Sequence, residues 1–286
     1  MITRPAIRYH GAKFRLAPWV TGFFPPHMCY VESFGGAAGV LLQKDRSYAE
    51  VYNDLDGEIV NFFRVLRDPT SREQLIRACA MTPYARDEFD LSWKPCDDGV
   101  ERARRLAVRA QMGFGSAGAS KGVTGFRVDT KRAYGTSQQH WADYQDALAE
   151  VGRRFTGVLI ENKPAVDVMR AHDAPTTLHY VDPPYVHSTR VRGASHARYY
   201  RHEMEDQDHV ELLQVLRGLE GMVVLSGYPS EIYMDSLGDW ERHQTTARIS
   251  ACRGGAVRTE CIWLNPVCSF ALVGGGHGLF AGAAPA

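Results

Sequence analysis

The chain has no C-x-x-C pair, no internal repeat, no net charge and no unbroken apolar run of membrane-spanning length. Each absence removes a class of protein. Six cysteines (Cys29, Cys79, Cys96, Cys252, Cys261, Cys268) scattered over 286 residues are too few for a disulfide scaffold and are not spaced as a zinc ribbon. Residues 261–286 carry no formal charge, yet Asn265, Pro266, Gly274 to Gly276 and His277 interrupt every stretch near the roughly 18 apolar residues a span needs. Those residues read as a last strand followed by a loose tail over 267–286. Arg4, Arg8, Lys13 and Arg15 fall in the first 20 residues with no apolar core between them, so no secretory leader is expected and the chain is expected in the cytoplasm. Nothing calls for a metal, a membrane or an obligatory protein partner.

What is present is core material. With 44% hydrophobic and 10% aromatic residues at zero net charge, the chain is expected to fold, as one large domain with a sizeable insertion. The zero hides an uneven distribution. Residues 100–135 hold eight Lys/Arg against Glu101 and Asp129, a net +6, and residues 186–202 hold Arg190, Arg192, Arg198 and Arg201 with no acid. The remainder is therefore acidic, at −10. Basic segments on an acidic body can hold a polyanion locally. Taken alone, they read equally as solvated faces.

Apolar β-rich runs alternate with helical patterns, which predicts an α/β fold with a mostly parallel sheet covered on both faces. Strands are expected at 29–34, 48–52, 157–160, 177–181 and 222–225, with a closing antiparallel hairpin from 242–249 and 259–264. Helices are expected through Val40 to Lys44, from Leu55 to Leu66, from Ala165 to Ala171 and from Asp206 to Leu219. Residues 70–150 break the rhythm. They read as three helices (72–79, 100–112, 141–155) around a glycine-rich basic loop at 113–135, inserted between two parts of a catalytic domain at 1–69 and 151–266.

The most specific element is Asp182-Pro183-Pro184-Tyr185, directly after an expected strand. In open α/β sheets, ligands sit outside the carboxyl ends of strands. Two prolines stiffen the backbone and remove two N–H donors, leaving the Asp182 carboxylate and the Pro183 carbonyl as acceptors beside an aromatic face. Acceptors alone suit an amino group, and the ring suits a planar heterocycle. A rigid turn with a core tyrosine is the bland reading, and it leaves the acid unexplained. After the first strand, Gly35-Gly36-Ala37-Ala38-Gly39 would let a polar ligand approach closely. This turn is not G-x-G-x-x-G, so a pyrophosphate cradle loses its main support. Asp54 lies 18 residues beyond Gly36, where an acid can accept from ribose hydroxyls; capping a helix is its ordinary alternative.

Tyr9-His10-Gly11-Ala12-Lys13, Val31-Glu32-Ser33-Phe34-Gly35-Gly36-Ala37, Asn53-Asp54 and Asp182-Pro183-Pro184-Tyr185 follow one another in an order that resembles the Dam-type, alpha-group DNA adenine N6-methyltransferases. The resemblance runs from about Ile7 to Asn265, with lesser echoes at Ile160-Glu161-Asn162, Leu225-Ser226-Gly227-Tyr228 and Glu260 to Asn265. The sequence departs from the family pattern at Ser33, where proline is usual, and at Ala38, where a second glycine is common. His10 and Ala12 replace residues of the usual N-terminal motif. Alanine at 38 costs little if its φ stays negative.

The resemblance implies a Rossmann-like methyltransferase sheet with a mostly helical target-recognition insertion, S-adenosylmethionine as methyl donor and double-stranded DNA as substrate. It implies catalysis by Asp182, Pro183, Pro184 and Tyr185 on a flipped-out adenine. Tyr9, Lys13, Phe34, Gly36, Asp54 and Asp182 would contact the cofactor, and a surface salt bridge is the plain alternative for Lys13. On this scheme the basic segments flank the catalytic loop, so Arg127, Lys131, Arg132, Arg190, Arg192, Arg198 and Arg201 become expected DNA contacts. Restriction–modification is one setting for such an enzyme. Cytosine N4-methylation uses the same acceptor logic, though Ser-Pro-Pro-Tyr is more usual there. RNA or protein-amide methylation, and a non-catalytic DNA-binding protein on the same fold, stay open as alternatives.

Overall fold

A computed structural model describes residues 2–274 except 117, 120, 121, 123, 129, 131–134, 191–199 and 250–255, with backbone alone at 247–249 and 256–258. The strands are β1 (Cys29–Glu32), β2 (Ala49–Asn53), β3 (Leu159–Glu161), β4 (Thr177–Val181), β5 (Met222–Gly227), β6 (Glu241–Ile249) and β7 (Ala256–Leu264). They form one sheet in the order β3-β2-β1-β4-β5-β7-β6. β1 to β5 pair in parallel, and β7 runs antiparallel to both β5 and β6. The expected hairpin is thus present, inserted beside β5. The strand order reverses between β1 and β4, whose register places Glu32 opposite Tyr180. A crevice opens outside the strand ends at such a reversal.

Helices cover both faces. They are α1 (Ala17–Thr21), α2 (Gly57–Arg67), α3 (Pro69–Met81), α4 (Arg86–Leu91), α5 (Gly99–Met112), α6 (Ser137–Ala142), α7 (Tyr144–Phe155), α8 (Ala165–Ala171), α9 (Asp206–Arg217), α10 (Glu231–Ser236) and α11 (Pro266–Val273). Among the described residues, no helix is long and apolar enough to cross a membrane. α2 exemplifies the sequence logic: Asp56 caps it by accepting from the Glu58 amide, and Ile59, Phe62, Phe63 and Leu66 recur at helical spacing on its buried side. One core joins the sheet residues Tyr30, Tyr52 and Leu178 to α2 and also to Leu75, Leu106, Leu148 and Phe155 of the 70–155 stretch. Phe155 stacks on Phe63 at 4.3 Å. The helices between β2 and β3 therefore complete the main core. The opposite face packs Leu212, Leu213 and Leu216 of α9 against Val181, Val223 and Leu225.

Three local expectations fail for identifiable reasons. Residues 40–44 form successive turns, in which Leu42 donates to the Ala38 carbonyl and Gln43 and Lys44 both converge on that of Val40, so the regular helical ladder does not develop. The expected helix 141–155 breaks at Asp143 (φ −90, ψ 5) into α6 and α7. Residues 266–273 are helical where a tail is expected: Asn265 caps α11 by accepting from the Cys268 amide, and Pro266 occupies its first turn.

Candidate active site

The crevice between β1 and β4 opens into a cavity. Tyr9, Lys13, Phe34, Gly36, Asp54 and Asp182, six residues singled out by motif, all line it. It has two chemically distinct ends.

At one end, the strand β4 delivers Asp182 and the following proline pair. Lys13, only 6% exposed, reaches across to both Asp182 oxygens at 2.9 and 3.0 Å and to Glu260 of β7 at 3.4 Å. Glu260 also accepts from the Ser226 hydroxyl at 3.2 Å and from the Tyr185 hydroxyl. The Tyr185 ring lies edge-on to Tyr228 at 4.3 Å, with the Lys13 ammonium 4.7 Å from its centroid. Burial pushes the Asp182 carboxyl up to about 6 from its ordinary 3.8, against the pull of the Lys13 cation. Lys13 itself is held charged: its two carboxylate neighbours outweigh its burial and raise its pKa. Sequence reasoning missed Glu260 and Tyr228 as site residues, although both stand inside segments that echo the family.

At the other end, Gly36 takes φ 46, and a side chain there would meet the Tyr9 ring at 2.9 Å. The Gly36 amide donates to Asp54 Oδ2 at 2.7 Å, and the Asp56 amide donates to Oδ1 at 2.8 Å. Asp54 thus ties the glycine turn to the start of α2. Burial pushes its carboxyl up to about 6 as well, opposed here by the two amide hydrogen bonds. Between the ends lies Glu32 at the tip of β1. It accepts from the Tyr30 hydroxyl and the Leu41 amide, and burial raises it to about 8.

The chain that leaves Tyr185 returns to the cavity at 200–204. Arg190 ties the return in place, donating to the Tyr185 carbonyl at 3.0 Å and to Glu203 at 2.5 Å, while the Tyr200 amide donates to Glu203 at 3.0 Å. The Arg190 side chain is 5% exposed. Arg201 pairs with Asp56 at 3.3 Å. Tyr200 lies over Gly11, whose φ of 73 and lack of a side chain leave room for the phenol. Arg127 lies in the loop after α5, with its amide bonded to the Met112 carbonyl. Lys131, Arg132, Arg192 and Arg198 lie outside the described residues.

A sheet in which β7 alone is reversed, with a glycine turn after β1 and the acceptor loop after β4, defines a Rossmann-like methyltransferase. The chain belongs to the D12 class N6 adenine-specific DNA methyltransferase family, whose model matches residues 9–248. It is accordingly a DNA adenine methyltransferase. Among solved structures, the chain is similar to a precorrin 8W decarboxylase from Methanobacterium thermoautotrophicum, at 10% identity over 92% of this chain and 95% of that one. The TM-score of 0.34 is too low for that likeness to bear on fold or function. No curated protein matches the chain significantly.

Proposed function

We propose that the protein transfers a methyl group from S-adenosylmethionine to N6 of an adenine flipped out of duplex DNA. The observation that carries this reading is the shared cavity: Asp182 and the Gly36–Asp54 turn line one space, so an acceptor for the target amine and an acceptor for a nucleoside open onto the same volume. The residues fit such a cofactor. A glycine turn that tolerates no side chain, a partly buried acid beside it and the aromatic Tyr9 and Phe34 match the polar and planar parts of a nucleoside. When bound, S-adenosylmethionine supplies a methyl group already activated on a sulfonium.

The chain's own residues supply position and electrostatics. An adenine amine is a poor nucleophile because its lone pair is delocalised into the ring. Hydrogen bonds from that amine to Asp182 and the Pro183 carbonyl favour a pyramidal nitrogen with its lone pair available. Asp182 offers both oxygens as acceptors only when ionised, since protonation turns one of them into a donor. Lys13 keeps it so, at the cost of occupying its oxygens until the amine arrives. Tyr185, steadied by Glu260 and Tyr228, presents its ring to the extruded base. Phosphate contact falls to Arg127, Lys131, Arg132, Arg192 and Arg198, since Arg190 is buried against Glu203 and Arg201 pairs with Asp56.

The test is methyl transfer from labelled S-adenosylmethionine to unmodified duplex DNA, with nucleoside analysis of the product. N6-methyladenine is the expected product. N4-methylcytosine, or label incorporated only into RNA or protein, would overturn the assignment, and no incorporation would favour a non-catalytic binder.

A further inference from the structure

The wall of the cavity nearest Asp54 contains a second acid that the motifs do not mark. Asp56 is 4% exposed and lines the cavity. Its Oδ1 accepts from the Glu58 amide at 2.9 Å and from Arg201 at 3.3 Å. Its Oδ2 is buried and has no hydrogen-bond partner among the described residues. A buried carboxylate oxygen with no donor is costly, and native sites rarely leave one without a purpose. An ionised carboxylate only accepts, so whatever completes Oδ2 must bring a hydroxyl or an amino hydrogen.

Arg201 shares this wall. It was expected from sequence to contact DNA phosphate, yet its guanidinium is 33% exposed and directed to Asp56. Tyr200, its neighbour, is anchored over Gly11 with its hydroxyl 3.5 Å from the His10 carbonyl, and its ring lies 6.2 Å from Tyr9. Arg201 therefore arrives at the cavity on a segment fixed at Tyr200 and Glu203. A cation there also relieves the repulsion between two acids on one wall, Asp54 and Asp56.

We infer that Asp56 and Arg201 complete the nucleoside end of the cofactor site: Asp56 Oδ2 accepts a hydroxyl or amino hydrogen of the bound nucleoside, and Arg201, paired to Oδ1, closes that wall instead of contacting DNA. The inference rests on the cofactor reading above and adds an acid, a cation and a closing segment to it. It also divides the 186–202 basic segment by task, assigning Arg190 and Arg201 to the protein's own acids.

The experiment is calorimetric binding of S-adenosylhomocysteine, together with a salt titration of duplex DNA binding, for wild type, Asp56→Asn and Arg201→Ala. Asparagine caps a helix as well as aspartate, so α2 is retained while the charged acceptor is lost. Both variants are expected to weaken S-adenosylhomocysteine about tenfold. The salt slope of DNA binding is expected to match wild type in both. Unchanged S-adenosylhomocysteine affinity in Asp56→Asn would overturn the role of Asp56. An Arg201→Ala variant with wild-type S-adenosylhomocysteine affinity and a flattened salt slope would return Arg201 to phosphate. Failure of the wild-type protein to bind S-adenosylhomocysteine would instead sink the cofactor reading itself, and this inference with it.

Discussion

The two ends of the cavity each hold a partly buried acid that desolvation raises to about 6, but different groups oppose the rise. Asp182 is kept from rising further by a charge, the Lys13 ammonium, which also bridges to Glu260. Asp54 is kept from rising further by two backbone amides, those of Gly36 and Asp56. A charge reaches several groups at once and can be deleted by one substitution. Amides act only on the atom they face and survive every substitution except proline. The acceptor end is thus adjustable chemistry, and the nucleoside end is fixed architecture.

Breaking the acceptor end should cost most. Asp182→Ala removes the acceptor for the amine, and methyl transfer is expected to fall by about 10²- to 10³-fold or more. Duplex affinity is expected to persist, because phosphate contacts and acceptor geometry serve different steps. Single-turnover rates beside equilibrium binding check this, and near-normal turnover would refute the role of Asp182.

Lys13→Met sharpens the comparison, because it removes the charge from one end only. Asp182 works as the anion, so activity is present above its pKa and lost as pH falls through about 6. Without the cation, burial and the nearby Glu260 carboxylate are opposed only by the Ser226 hydroxyl, and the acid limb of the rate profile should move up by about one to three pH units. Activity lost at pH 7 should then return at higher pH. Asp54→Ala should leave that limb in place and raise the dissociation constant for S-adenosylhomocysteine about tenfold, by calorimetry. An acid limb that stays put in Lys13→Met would show that the cation does not control Asp182.

The same contrast explains what the sequence made legible. Strands β1, β2 and β4 end at Gly, Asn-Asp and Asp-Pro-Pro, punctuation written within a few residues, so the strand ends and their acids could be read directly. Glu260 could not. It stands 75 residues from Tyr185 and beyond the family match, and only the β5–β7 register, with Gly227 opposite Cys261, brings it to the site. Arg190 shows a different limit: a charge count over 186–202 stops one residue short of Glu203, with which it pairs. Charge summed along a segment is blind to pairing. Asp56, not Asp54, caps α2, and a cap's second oxygen has no signature in sequence.

The smallest effect is expected where the sequence departs from the family pattern. Ala38 takes φ 55, so the condition under which alanine costs little is not met, and it is fully buried. A left-handed alanine costs about 1–2 kcal/mol, which glycine at 38 would relieve. Against that gain, Ala38→Gly removes a buried methyl group, worth about 0.8 kcal/mol. It also loosens the unfolded chain, by about 0.4–1 kcal/mol. These terms nearly cancel, so denaturant unfolding should place Ala38→Gly within about 1 kcal/mol of wild type. Gly36→Ala differs by two positions and should not be neutral: it adds left-handed strain and drives a methyl group into the Tyr9 ring, and the stiffer unfolded chain offsets only part of the strain and none of the clash. A large destabilisation in Ala38→Gly would mean that the Ala38 methyl holds the turns after β1 in place. Near-neutrality there, set against a loss in Gly36→Ala, would show that the turn needs its glycine at 36, where Tyr9 closes in, and only a small residue at 38.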